Sequence, residues 1–243
     1  MIKTVLSSFL MLALMGTAFA QAPVQLRYDG SSATQNEFFN QLRNKKEINT
    51  GVLETVGTPY IEDDFKPCEI FFGDEKIGKF FYRHNALNDE IEIKDSQVAG
   101  EEVSSLATMR QLTLIDLENG NELSLMTYEN KKDQMRNGYL YRLKDGDKYS
   151  LLFKKNVKFT QGTQPVNSLV RPTPNKFSLF IEYYYFTPDG KVAQYLPTRK
   201  NRFIRSFDKS LQDKLKEFID EQDINLNQEE DLVRVFSFLN KQA

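Results

Sequence analysis

At 243 residues, with 40% hydrophobic and 27% charged side chains, the chain is long enough to enclose one large core or two small ones, and its composition is not that of a disordered or low-complexity protein. A formal net charge of −2 gives no electrostatic reason to bind a polyanion, so nucleic acid is not an expected partner. One cysteine, Cys68, excludes an internal disulfide, and one histidine, His84, excludes a multi-histidine metal site.

Residues 1–20 read as a secretory signal peptide. Lys3 supplies the positive start, residues 5–15 form a short apolar run, and Ala18-Phe19-Ala20 is a small-x-small cleavage site. The run is too short for a comfortable membrane span, and no other long apolar run follows. No cysteine follows it either, so the signal is not of the lipoprotein kind. The expected mature chain starts near Gln21, has no membrane span, and is periplasmic or extracellular.

Residues 21–50 are polar, with a Gly30-Ser31-Ser32 cluster and a short helix expected at 37–46, where Phe38, Phe39 and Leu42 have near-helical spacing. Residues 51–206 carry a β pattern. Residues 68–72 and 77–83 flank Gly73-Asp74-Glu75-Lys76, a hairpin with a short polar loop. Residues 89–95 alternate cleanly: Ile91 and Ile93 point one way, and Glu90, Glu92 and Lys94 the other. Asn119-Gly120 between residues 111–117 and 122–128 is the strongest local hairpin signal, and Asp145-Gly146 between 139–143 and 148–159 is read in the same manner. Residues 129–138, between these hairpins, are charged and expected to be exposed. Pro165, Pro172 and Pro174 keep residues 161–176 irregular.

Residues 177–186, FSLFIEYYYF, are apolar or aromatic apart from Ser178 and Glu182. They are expected to form a central strand covered on both faces, stopped by Thr187-Pro188-Asp189-Gly190. Residues 207–243 then hold two amphipathic helices. Leu211, Leu215, Phe218 and Ile219 line the first, with Asp208 as cap and Phe207 as staple. Leu232, Val235, Phe236 and Leu239 line the second, with Asn227 and Glu230 spaced for a capping box. The expected fold class is α+β: a curved, antiparallel, hairpin-built sheet with a C-terminal antiparallel helix pair packed on it. A sandwich and a partial barrel are alternative closures of that sheet.

Three strings carry a resemblance. His84-Asn85-Ala86-Leu87-Asn88-Asp89-Glu90-Ile91-Glu92-Ile93 resembles the Y-N-x-x-N-D-E-I-E element of an uncharacterised secreted β-rich protein family known mainly from Bacteroidota. Residues 154–159 (KKNVKF) and residues 225–232 (NLNQEEDL) are similar to other parts of that family. The resemblance implies secretion and a sheet with terminal helices. The family has no assigned activity, so it implies no catalytic residue.

Chemical signatures are sparse. No G-x-S-x-G accompanies His84, no phosphate-binding glycine fingerprint is present, and Asp145-Gly146-Asp147 lacks calcium-loop spacing. Cys68 and His84 form only a formal nucleophile pair, and Cys68 reads as a buried, inert thiol. The expectation is no catalytic residue, no cofactor and no metal. The candidate contact residues are Tyr183 and Tyr185, which would line a concave face, and Arg199 and Arg202 of the basic cluster at residues 199–205. The leading reading is a secreted cell-envelope binding or structural module that holds a protein partner or an apolar ligand. The alternative is a glycan-directed envelope hydrolase using carboxylates, with Asp63-Asp64 or Glu90 and Glu92 as candidates. The signal-peptide reading is checked by the intact mass of the protein recovered from outside the cytoplasm. The expected mass lacks residues 1–20, and retention of Met1 would overturn it.

Overall fold

The computed structural model describes residues 54–98, 100–163, 173–187 and 190–242. The signal segment, the polar stretch and the helix expected at 37–46 lie outside the described residues, as do 164–172 of the Pro-rich segment and Pro188-Asp189 of the turn.

Eleven strands form one sheet: β1 (Thr55–Val56), β2 (Lys66–Phe72), β3 (Glu75–Asn85), β4 (Glu90–Lys94), β5 (Ser104–Ser105), β6 (Leu112–Asp116), β7 (Glu122–Glu129), β8 (Met135–Lys144), β9 (Ser150–Thr160), β10 (Asn175–Phe186) and β11 (Ala193–Leu196). Their order is β1-β10-β9-β8-β7-β6-β2-β3-β4-β5. Three helices close the chain: α1 (Lys200–Arg205), α2 (Lys209–Glu221) and α3 (Glu229–Gln242). The fold class is α+β, as expected. The sheet is mixed rather than purely antiparallel, because β1 pairs with β10, and β11 with β7, in short parallel ladders. Strand β11 also pairs antiparallel with β10. It therefore ties β10 back to β7 and curls this end of the sheet, while the β5 end stays open.

Turn chemistry places the hairpins. Gly73 (φ +58°) and Gly120 (φ +73°) occupy the left-handed region that glycine enters without strain. The Asp145-Gly146 loop has a different cause. Lys148 and Tyr149 donate backbone N–H groups to Asn240 Oδ1 of α3, and Asn240 Nδ2 donates to the Tyr149 carbonyl. A Cβ at Gly146 would overlap the Asn240 amide, so this glycine makes room for a helix side chain. Residues 131–137 are exposed, as expected for this charged segment, but half of 129–138 is strand. The β7–β8 ladder runs out to Glu129↔Met135, and only residues 130–134 turn the chain.

The two sheet faces bury two clusters. Tyr141, Leu151, Phe153 and Tyr183 pack with Leu211, Leu215, Leu232 and Phe236 of the helices. Leu140, Leu152, Tyr184 and Ala193 pack on the opposite face, inside the curl closed by β11. Phe207, between α1 and α2, joins sheet to helices. Its ring lies 5.4 Å from Tyr149, 5.3 Å from Tyr185, 5.4 Å from Phe203 and 6.0 Å from Phe236. Helix boundaries fall where the amphipathic pattern puts them, with small changes at the caps. Asp208 stands at the N-cap of α2 but makes no side-chain cap bond. Before α3 it is Asp231 Oδ2 that accepts the Asn225 N–H at 2.8 Å.

Strand β10 departs from expectation. Tyr183 and Tyr184 are buried, but Leu179, Phe180 and Ile181 are 53%, 41% and 39% exposed. Neighbours explain this. Strand β9 flanks β10 from Lys176 to Phe186. On the other side, the described ladders reach only Asn175–Lys176 (β1) and Tyr183–Tyr185 (β11). Of β10, Tyr183 lies in the cluster packed with the helices, and Tyr185 packs against it. Phe207→Ala should therefore destabilise the fold by about 3–5 kcal/mol, and Leu179→Ala by less than about 1 kcal/mol. Urea unfolding of both variants measures this; equal losses would place Phe207 outside the shared core.

Candidate functional site

The β8–β9 ladder is short. Its described register runs from Tyr141↔Phe153 to Lys144↔Leu151, with an irregularity between Arg142 and Lys144. Beyond Tyr141 and Phe153 the strands diverge: the outer half of β8 stays paired with β7, and that of β9 with β10. The β3–β4 turn, residues 86–89, occupies the resulting gap. Val157 of β9 donates its N–H to the Ala86 carbonyl at 3.2 Å. Ala86 and Leu87 donate to the Pro59 carbonyl at 3.0 and 3.3 Å, and Ile61 donates to the His84 carbonyl at 2.9 Å. The Asn85 side chain accepts the Asn88 N–H at 3.2 Å. The string His84-Asn85-Ala86-Leu87-Asn88-Asp89 is thus the wedge that fills the gap.

Its charged groups meet inside. Asp89 adopts φ +59°, a conformation Asn and Asp tolerate better than most residues. Asp89 Oδ2 accepts from Lys154 Nζ at 2.6 Å, and Oδ1 lies 3.4 Å from His84 Nε2. The other imidazole nitrogen, Nδ1, is 2.8 Å from the Tyr141 hydroxyl. Lys154 Nζ also reaches the Tyr139 carbonyl at 3.4 Å. His84 is 2% exposed and Lys154 3%. Asp89 and Lys154 meet over the bare backbone of Gly138, where a Cβ would overlap Asp89 Oδ2 and lie 2.9 Å from Lys154 Nζ.

Burial pushes the His84 imidazole below its ordinary value, outweighing the carboxylate of Asp89, and Lys154 and Lys155 push it in the same direction. Burial pushes Lys154 down as well, against the pull of Asp89. For Asp89 burial acts upward, but the His84 bond and the Lys154 charge outweigh it and hold the carboxyl below the usual range. The balance is a neutral imidazole beside a carboxylate that is shared with a lysine.

In front of His84 and Tyr141 lies a cleft of about 20 Å³, lined among others by Glu62, Lys66, Asp116 and Lys155. It has room for a single water and none for a sugar ring. Its charges are already engaged. Lys66 pairs with Glu62 and with Glu118, the latter at 3.2 Å. Asp116 accepts from Tyr82 Oη at 2.8 Å and from the Glu118 N–H at 2.8 Å. Lys155 Nζ sits 5.2 Å over the Tyr141 ring.

The residues singled out from sequence lie apart. Tyr183 is buried under the helices, with Glu229 acting on its hydroxyl, and Tyr185 Oη donates to the Ser206 carbonyl at 3.0 Å. Arg199 is the exposed N-cap of α1, and Arg202 is exposed within that helix. Asp63 and Asp64 are exposed, Asp63 accepting from Thr58 Oγ1 at 2.6 Å. Glu92 is held by Arg83 at 2.6 Å, and Glu90 accepts from Asn88 Nδ2 at 3.3 Å. Cys68 is fully buried, and burial chiefly pushes its thiol up to about 12, so it is not a ready thiolate. Both nitrogens of His84 face groups other than Cys68. Sequence reasoning missed Lys154 and Asp89. A lysine beside Leu151-Leu152-Phe153, on the strand face that carries Leu152, was the signal available.

No protein-family model matches the chain, and neither a curated protein nor a solved structure is detectably similar to it.

The wedge yields a direct test. Gly138→Ala should lower stability by about 1–3 kcal/mol, because the added methyl separates Asp89 from Lys154. Lys154→Met should cost about 3–5 kcal/mol by leaving the buried carboxylate unpaired. In the Lys154→Met, Asp89→Asn double variant most of that loss should return, since neither charge remains. Denaturant midpoints of the three variants measure this. An undiminished loss in the double variant would show that the lysine acts through packing alone.

Proposed function

We propose that this chain is a non-enzymatic binding module of the cell envelope, exported through its N-terminal signal, that takes a protein partner along the uncovered part of β10. The observation that carries this reading is the exposure of three consecutive large apolar residues, Leu179, Phe180 and Ile181, on a stretch of strand paired on one side only among the described residues. An exposed apolar strand edge is a template for another strand and a hazard for aggregation unless something covers it. An extended partner segment would gain main-chain hydrogen bonds along residues 177–182 and apolar contacts on alternate side chains. Charges mark the far end of the stripe, where Glu182 pairs with Lys131 at 3.2 Å.

An enclosed apolar ligand fits less well, because the hydroxyls of Tyr183 and Tyr185 face helix residues. A carboxylate hydrolase fits less well too, because Glu90 and Glu92 are tied to neighbours and the cleft that Asp64 borders has room for one water. Arg199 and Arg202 are exposed on α1 and serve as secondary contact positions. The export expectation and the resemblance to the secreted Bacteroidota family support the envelope setting.

The test places a photo-crosslinking amino acid at Phe180 in the producing cell, with Glu217 on α2 as an exposed control. One discrete adduct is expected at position 180, absent at 217 and lost when Leu179→Lys and Ile181→Lys are added. No adduct, or the same pattern at both positions, would overturn the reading.

A further inference from the structure

We propose that the β3–β4 turn is an acid-released latch, held in the gap between β8 and β9 while His84 is neutral and let go when His84 takes up a proton. The proposal goes beyond the partner-binding reading and does not depend on it.

The geometry carries the argument. The turn is fastened to β9 by the Ala86–Val157 hydrogen bond and by Asp89, whose carboxylate is divided between His84 and Lys154. A neutral His84 satisfies its surroundings fully: Nε2–H donates toward Asp89, and Nδ1 accepts the Tyr141 hydroxyl proton. A protonated His84 has two donors and no acceptor. The Tyr141 hydroxyl proton then loses its place, and a second full positive charge enters a site where one carboxylate already serves Lys154.

The surrounding charges do not relieve this. From β9, Lys154 and Lys155 face the ring and oppose its protonation. From β8 the phenols Tyr139 and Tyr141 pack on it. Around the cleft, Glu62 is paired with Lys66, Arg83 with Glu92, and Asp116 with Tyr82; Asp64 is exposed. Among the described residues, Asp89 is the acid placed on the imidazole, and it is shared with Lys154.

The sign follows from linkage. Burial holds His84 below its ordinary value of 6.5 in the docked turn. Docking is therefore fully stable above about 6.5 and weakens as pH falls from there toward the docked-state value. One proton taken up on release makes the opening constant rise about tenfold per pH unit across that window. The latch lies directly behind the exposed stripe: Lys154 and Lys155 of β9 stand opposite Glu182 and Ile181 of β10.

The experiment uses the whole mature chain. Its single histidine makes the imidazole an unambiguous NMR probe, and amide exchange reports the opening. Between pH 7.5 and 5.0, the protection factors of Val157, Ala86 and Leu87 are expected to fall as pH drops below about 6.5, by up to about tenfold per pH unit. Those of Leu152 and Tyr184 are expected to hold. In His84→Gln the fall should vanish. In Lys154→Met, where Asp89 is freed for the imidazole, the histidine's titration midpoint should move up and the fall should flatten. Protection at Val157 that ignores pH, that falls equally at Leu152 and Tyr184, or that falls unchanged in either variant would overturn the proposal.

Discussion

Two long hairpin strands that part company after a few residues dominate this structure. Strands β8 and β9 cannot both stay paired with each other and follow their outer neighbours. β8 remains with β7 and β9 with β10, and the backbone groups between them need other partners. The β3–β4 turn answers that demand at Val157 by supplying the Ala86 carbonyl. Filling the gap brings a carboxylate to a buried lysine. Such a pair adds little stability over an apolar filling of the same volume, but it heavily penalises arrangements in which either partner is missing. The wedge is thereby specified: only a turn carrying an acid at position 89 satisfies Lys154, and only a bare backbone at Gly138 leaves room for the meeting.

The same divergence shapes the rest of the sheet. Because β9 and β10 leave β8 together, the far end of β10 is carried away from the helices. Its near end stays under them through Tyr185 and Phe207. β11 then finds β10 on one side and the end of β7 on the other, and closes the curl with a two-residue ladder. The inside of that curl is filled by Leu140, Leu152, Tyr184 and Ala193. One strand thus supplies core at residues 183–184 and surface at 179–181.

How much of this could be read beforehand depends on the range of the cause. Asn119-Gly120 and Gly73 mark turns because positive φ is a local demand. The helices at the C-terminus were legible because their stripes repeat within a few residues. Gly146 looked like the same signal as Gly120, yet its reason is Asn240, distant in sequence and invisible to any local rule. FSLFIEYYYF looked buried throughout because apolar composition does not say which part of a strand finds a cover. Lys154 was harder still, since alternation shows that a charge faces the core but not that Asp89 will meet it. The string around His84 stood out as a pattern, and its role as a wedge became visible only with the gap it fills.

These constraints bear on function through what they leave free. A catalytic carboxylate or imidazole needs an open approach for its substrate. Here His84 is enclosed by Tyr139, Tyr141 and Asp89, and the cleft in front of it admits one water. The polar groups that look most like chemistry are those the fold spends on holding a turn. The uncovered stretch of β10 has the opposite character: its apolar side chains reach solvent, and no described strand lies along its outer edge. Under the proposed reading, that surface does its work by being covered. Under the latch proposal, the turn that fastens β9 from behind is held by the chain's single histidine, which ties the strand pair bearing that surface to one proton.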